Sequence, residues 1–255
     1  MRSRILWIFL LLSFFAQAQP TEISRPTVGF VPNQGQWPAE VLAQLPTETA
    51  RIWILQDGLR FTLRGPSEED SSDLFVFTEH FHGAQSGRFT GLGGLPGHLS
   101  YFFPSGSAAM VPHFASAAID GLYPGVTLEL ELSPDGFLKT TWVGESPEDL
   151  RAVASQFEGV EHGEAQGRIL RFAYPAGVLE IDLPDAQGSR GSVPAQWRRN
   201  ASTWTPVARS ADRIDPVYRF STFSGSVSDN FGYTATYDLQ GRTWIGGIAF
   251  GAQFP

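Results

Sequence analysis

The chain has 255 residues, with 26 acidic against 18 basic side chains and a formal net charge of −8. That surplus of acid disfavours nucleic acid and anionic membrane surfaces as main partners, because both reward lysine and arginine. No cysteine is present, so no disulfide framework can form; charged residues make up 17% and aromatics 13%, a balance that fits a β-rich exterior protein better than a helical one.

Residues 1–18 read as a targeting segment. Arg2 and Arg4 supply the positive start, Ile5 to Phe15 the apolar run, and Ala16-Gln17-Ala18 a small-x-small site, so cleavage is expected between Ala18 and Gln19. The run is shorter than the roughly 20 residues that span a bilayer, and no cysteine follows it to carry a lipid. Export through the Sec route is expected, to the periplasm, the cell surface or the medium. The remainder is more acidic still. It is long enough for one or two domains and holds no further apolar run of membrane-spanning length. Lys139 is the only lysine; nothing physical in the sequence explains that bias.

Beyond the leader, apolar residues alternate and turn signals recur, the pattern of an antiparallel all-β chain. Three hairpins are predicted by register. Arg51–Gln56 and Leu59–Arg64 flank Asp57-Gly58, which favours a two-residue type I′ loop. That loop sets Ile54 opposite Phe61, Ile52 opposite Leu63 and Trp53 opposite Thr62. Val126–Leu132 and Phe137–Val143 flank Ser133-Pro134-Asp135-Gly136, a type I turn with a glycine bulge. Here Leu132 meets Leu138, Leu128 meets Trp142 and Glu131 meets Lys139. Arg168–Tyr174 and Val178–Asp182 pair through Pro175-Ala176-Gly177, with Phe172 on Leu179, Leu170 on Ile181 and Arg171 on Glu180.

Asp73–His82 and His98–Phe103 read as further strands. One short helix is predicted, with Ser146 as N-cap, Pro147 in the first position and Glu148-Asp149 in the first turn. Residues 65–72, 83–97 and 186–193 read as loops, and Asn200 to Asp215 as a link. Phe220–Gly225 reads as a strand running into a loop, and Thr234–Gly247 as a hairpin. The expected fold is all-β: a sandwich-like domain of antiparallel sheets over residues 19–215, then one β-propeller-type blade element over residues 216–255.

Phe30-Val31-Pro32-Asn33-Gln34-Gly35-Gln36-Trp37-Pro38 resembles the F-x-x-N-x-G-Q-W opening of large Bacteroidetes surface proteins that carry SBBP repeats, units of a proposed seven-bladed propeller. Leu122-Tyr123-Pro124-Gly125-Val126 and Phe220–Gly225 follow in the same order, and Ala235-Thr236-Tyr237-Asp238…Gly241 is similar to the A-T-D-x-x-G core of that repeat. The resemblance covers nearly all of the chain after the leader. It implies a β-rich N-terminal domain followed by a propeller, often with a module for type IX secretion or gliding motility beyond. It brings no catalytic residues. Pro104-Ser105-Gly106-Ser107 stands where the family carries a glycine-asparagine-aspartate loop, and one repeat stands where the family has several, which reads as a truncation.

Candidate chemistry is thin. His80 and His82, two apart on one strand, could chelate a metal, but no third ligand is near in sequence and a polar strand face accounts for them equally. Glu129 and Glu131 share a face, with Asp73 and Glu79 as potential neighbours for paired-carboxylate hydrolysis; a wet sheet face explains the pair more simply. Of six tryptophans after the leader, Trp53 is the best candidate to stack on a sugar, against core packing as the commoner fate. Ser226, Ser228, Asp229 and Asn230 offer too few carboxylates for calcium. Gly91–Gly97 lacks the lysine and helix of a phosphate cradle. No cofactor motif is present. The expectation is an exported, non-enzymatic surface or secreted protein serving structure, adhesion or interaction; a glycan-binding module is the alternative, and a hydrolase the less favoured third.

Overall fold

The computed structural model describes residues 29–47, 50–64, 74–103, 106–133, 136–161, 163–174, 177–222, 230–237 and 243–249. The expected cleavage site at Ala18 and Gln19, Asp73, and the loop of Ser226, Ser228 and Asp229 lie outside the described residues.

In chain order the strands are Val31–Pro32 (β1), Val41–Pro46 (β2), Ala50–Leu55 (β3), Gly58–Arg64 (β4), Leu74–Phe81 (β5), Arg88–Gly94 (β6), Leu99–Phe103 (β7) and Gly106–Val111 (β8). Phe114–Tyr123 (β9), Val126–Leu132 (β10), Leu138–Gly144 (β11), Ser155–Glu158 (β12), Gly163–Gln166 (β13), Ile169–Tyr174 (β14) and Gly177–Asp182 (β15) follow. Ala186–Gly188 (β16), Gly191–Val193 (β17), Ala195–Asn200 (β18), Thr203–Ala208 (β19), Arg213–Ile214 (β20), Val217–Thr222 (β21), Asn230–Tyr237 (β22) and Thr243–Ala249 (β23) complete the series. One sheet has the order β1-β2-β3-β4-β5-β12-β19-β18. The larger runs β13-β14-β15-β21-β11-β10-β9-β6, with β16, β17 and β20 attached at its side. Pairs β7–β8 and β22–β23 form two separate two-stranded sheets. The fold is all-β and antiparallel, with the two large sheets packed as a sandwich.

Alternation builds the core. Ile52, Ile54, Leu59, Phe61, Leu63, Phe77 and Phe81 face inward from the smaller sheet, and Leu128, Trp142, Leu170, Leu179, Ile181 and Tyr218 from the larger. Rings meet across the gap: Phe61 stacks on Tyr218 with centroids 5.5 Å apart, and Phe81 meets Trp142 edge-on at 4.9 Å. Removing one such ring costs about 3–5 kcal/mol, from lost transfer energy and the cavity left behind.

The second and third hairpins pair as their residues predict. Leu132 faces Leu138, Leu128 faces Trp142 and Glu131 faces Lys139, and Gly136 takes φ +79° while donating its N–H to Ser133 O. Phe172 faces Leu179, Leu170 faces Ile181 and Arg171 faces Glu180. The first hairpin keeps its faces but is shifted by two residues. Leu55 pairs with Gly58, Ile52 with Phe61 and Trp53 with Arg60, so the turn is Gln56-Asp57. None of Gln56, Asp57 and Gly58 takes the positive φ of a type I′ turn. Gly58 serves strand packing instead: a Cβ there would sit 2.2 Å from the Glu79 carbonyl oxygen on β5. Backbone bonds fix the turn from outside, Gln56 N–H to Glu40 O and Phe81 N–H to Asp57 O.

Several expectations are corrected. The predicted helix is a single 3₁₀ turn, Asp149–Ala152, with Glu148 as its N-cap. Ser146 does not cap it; its N–H and hydroxyl both donate to Asp149 Oδ2 at 2.8 Å, closing a local turn. The stretch 83–97 contains strand β6, paired with β9. Residues 186–193 form β16 and β17, and the expected link 200–215 carries β19 and β20. The sandwich also runs past the boundary expected at 215. Strand β21, with Phe220 in it, sits between β15 and β11 in the larger sheet, so residues 217–222 belong to the sandwich. The predicted final hairpin forms as β22 and β23, with Thr236 opposite Trp244. Among the described residues, no helix is long and apolar enough to cross a membrane.

Candidate functional site

The N-x-G-Q-W segment after β1 is a self-bonded corner. Asn33 Oδ1 accepts the N–H groups of Gly35 (3.0 Å) and Trp37 (3.2 Å). Its Nδ2 donates toward the carbonyls of Trp37, Pro38 and Val41 at 3.1, 2.9 and 2.8 Å. Buried Gln36 returns its amide to Pro32 O at 2.8 Å and accepts Gln34 N–H at 2.6 Å. Gly35, at φ +103°, lets the chain reverse. With its polar groups satisfied internally, the corner delivers one large side chain outward, Trp37.

Trp37 starts a row of rings. It meets Trp53 of β3 edge-on at 5.5 Å and Tyr101 of β7 at 5.2 Å, and Tyr101 lies 6.0 Å from Phe103. The β7–β8 hairpin is seated on the corner: a Cβ at Gly106 would lie 2.4 Å from Gly35 O. The hairpin exposes three apolar side chains, Phe102 79%, Met110 65% and Phe103 47%, with Phe103 on the Tyr101 face and Phe102 on the other. The pairing slips between Leu99 and Tyr101, so that Ser100 opposes two residues. Met110 takes φ +59° in that bulge, a left-handed conformation that strains a side-chain-bearing residue.

Two guanidinium groups border the row. On β3, Arg51 and Trp53 point to the same outer side, since Ile52 and Ile54 between and beyond them are buried. Arg60 pairs with Trp53 across the ladder and donates to Thr78 Oγ1 at 3.3 Å. Burial raises the Tyr101 phenol's pKa, and nearby Arg51 pulls it partly back. Neither Arg51 nor Arg60 forms an ion pair among the described residues, whereas Arg88, Arg168, Arg171 and Arg213 each pair with a carboxylate.

A second polar constellation is sealed in the core. Glu79 points inward from β5, where one oxygen accepts the Ser155 hydroxyl of β12 at 2.5 Å and the other the Tyr218 hydroxyl of β21 at 2.6 Å. The carboxyl therefore ties the two sheets together. Desolvation pushes its pKa up to about 7 against the pull of those two hydrogen bonds, and burial, with the neighbouring carboxylate adding to it, drives the Tyr218 phenol well above its ordinary range. Sequence reading named Glu79 only as a neighbour for other carboxylates. Its real signal was position: it occupies an inward place in the alternating series Phe75, Phe77, Glu79, Phe81.

The remaining candidates disperse. Glu129 pairs with Arg213 at 3.0 Å and Glu131 with Lys139 at 2.9 Å on the outer side of the larger sheet, far from the inward Glu79, so no carboxylate pair forms with it. His80 faces Glu158 at 3.3 Å, and His82 lies exposed beyond the end of β5. Among the described residues, no three His, Asp or Glu side chains gather as metal ligands. Buried His113 accepts Gly29 N–H at Nδ1 and donates from Nε2 to Pro96 O, a structural brace. Tyr123, from the second motif of the resemblance, donates to His82 O at 3.0 Å and fixes the β9–β10 turn. A shallow depression of about 440 Å³ beside it is lined by Gln85, Asp120, Thr127 and Glu145.

A family model for a domain of unknown function, DUF7948, matches residues 30–209, from the first residue of the N-x-G-Q-W corner's approach to the end of β19. No curated protein and no solved structure matches the chain.

Proposed function

We propose, since the chain belongs to the DUF7948 family, that this sandwich is the recognition module of an exported, non-enzymatic surface or secreted protein that acts in adhesion or partner binding. The observation that carries this reading is the exposed apolar side chains of the β7–β8 hairpin, Phe102, Phe103 and Met110, with Phe103 continuous through Tyr101 with Trp37 and Trp53. Exposed aromatic anchors on a rigid support are what binding surfaces place at their centres. The positively charged start, apolar run and Ala16-Gln17-Ala18 site support export. The ordered motifs support a Bacteroidetes surface protein whose sandwich leads into SBBP repeats, with β22 and β23 as the opening of the first, and a type IX or gliding-motility setting follows from the same resemblance.

Binding of the purified full chain to intact bacterial and host cells tests the reading. The double variant Phe102→Ser/Phe103→Ser should lose most of the binding while its thermal melt stays unchanged, because both rings are exposed. Equal binding by parent and variant, or none by the parent, overturns the proposal. A second reading, glycan binding, is favoured by one observation: half-buried Trp53 sits on the outer side of β3 beside Arg51 and opposite Arg60, which no carboxylate engages among the described residues.

A further inference from the structure

We infer that the Trp53 surface binds an acidic glycan, a polysaccharide carrying carboxylate or sulfate groups. The inference rests on the reading of the module as a binding protein and names its ligand class. Three observations converge on it.

The first is charge. In a chain with net charge −8, Arg51 stands two residues from Trp53 on the same face and Arg60 opposite it on β4, with its Nε on Thr78 of β5, and neither engages a carboxylate among the described residues. Arg168, Arg171 and Arg213 on the larger sheet are ion-paired, and Arg199 and Arg219 lie over aromatic rings. A cationic surface on an acidic protein selects an anion, and the planar guanidinium fork matches carboxylate and sulfate oxygens two at a time. The second is shape. Trp53, Trp37 and Tyr101, each partly exposed, form a row of rings packed edge-on, and the apolar side of a sugar ring stacks on such aromatics. Arg51 and Trp53 are two residues apart on one face, about 7 Å, near enough for one polysaccharide chain to engage both. The third is location. Strand β3 lies inside its sheet, between β2 and β4. Its backbone groups are already paired, so an added peptide strand has no edge to join. Only side-chain chemistry is on offer, and rings with bordering cations suit a charged sugar better than an extended acidic peptide.

The test is binding of the full chain to polygalacturonate and dextran sulfate, with dextran as the neutral glycan and polyglutamate as the acidic peptide. Saturable binding to an acidic glycan is expected, weakening as salt rises. Arg51→Gln combined with Arg60→Gln should weaken it by about tenfold or more, since each charged hydrogen bond is lost outright. Trp53→Ala should abolish it; because that indole is half-buried, the arginine variant, which leaves the core untouched, decides the matter if Trp53→Ala misfolds. Equal binding of polyglutamate, binding of dextran unaffected by the arginine change, or no glycan binding at all overturns the inference. Cell binding that survives in each of those outcomes and is lost in Phe102→Ser/Phe103→Ser leaves the broader function standing without it.

Discussion

Glu79 is a carboxyl group in a place where its strand otherwise puts phenylalanine. Burial favours its neutral form, so the folded chain holds the proton up to about pH 7, while the unfolded chain releases it near the ordinary value of 4.5. Between those values the folded state binds more protons, and stability falls as pH rises. The contribution is fully present below about 4.5 and is gone above about 7, a change on the order of 3 kcal/mol. Glu79→Gln keeps the shape and an acceptor for Ser155, and its amide can donate to Tyr218, whose own hydroxyl has Thr140 beside it. Urea unfolding of the variant should therefore be nearly flat from pH 5 to 8, with greater stability than the parent at pH 8. Parallel slopes for the two proteins would remove Glu79 from the account. Asn33 makes the opposite kind of prediction. Its side chain bonds backbone N–H and C=O groups on both sides of the corner, so Asn33→Ala should destabilise by about 2–3 kcal/mol. It should also blue- or red-shift the tryptophan emission as Trp37 leaves Trp53.

At the scale of elements, the hairpins differ in how far residues dictate them. Leu128 to Trp142 and Phe172 to Leu179 were readable because a one-residue slip would bury Lys139 or expose a leucine row. The first hairpin resists that argument. A slip of two residues keeps every side chain on its face, and the choice falls to contacts distant in sequence, the close approach of Glu79 O to Gly58 above all. Strand β6 was unreadable for a related reason. Gly91, Gly93 and Gly94 look like a loop, yet Gly91 is there because the Phe114 ring covers it; a Cβ would fall 2.3 Å from that ring. Gly91→Ala should therefore cost about 1–3 kcal/mol by overpacking, seen as a lowered urea midpoint, and an unchanged midpoint would show that Phe114 moves freely. Of the candidate site, Trp53 was visible as an outward aromatic, but Arg60 as its cross-strand partner was not, since the two are paired only in the shifted register. Trp37, Tyr101 and the exposed Phe102 come together through the corner and the separate β7–β8 pair, a meeting no spacing in the sequence encodes.

At the scale of the whole molecule, β21 decides where the sandwich ends. It lies between β15 and β11, pairing with β15 from Gly177–Thr222 to Asp182–Val217. Buried Tyr218 sends its hydroxyl across the core to Glu79, and Phe220 packs on Phe61 and Phe77 of the opposite sheet. A chain ending at Asp215 would open a cleft through the middle of the larger sheet, strip two rings from the core and leave Glu79 buried with one partner. Losses of that kind, several kcal/mol each, exceed the total stability of an ordinary domain. A chain ending at Thr222 keeps all three contacts. The shorter chain should thus be insoluble or protease-sensitive, with no cooperative melt. The longer should give a sigmoidal thermal transition by circular dichroism with a strand-type spectrum. Cooperative folding of the chain ending at Asp215 would mean that β11 and β15 close on each other directly, without β21 between them.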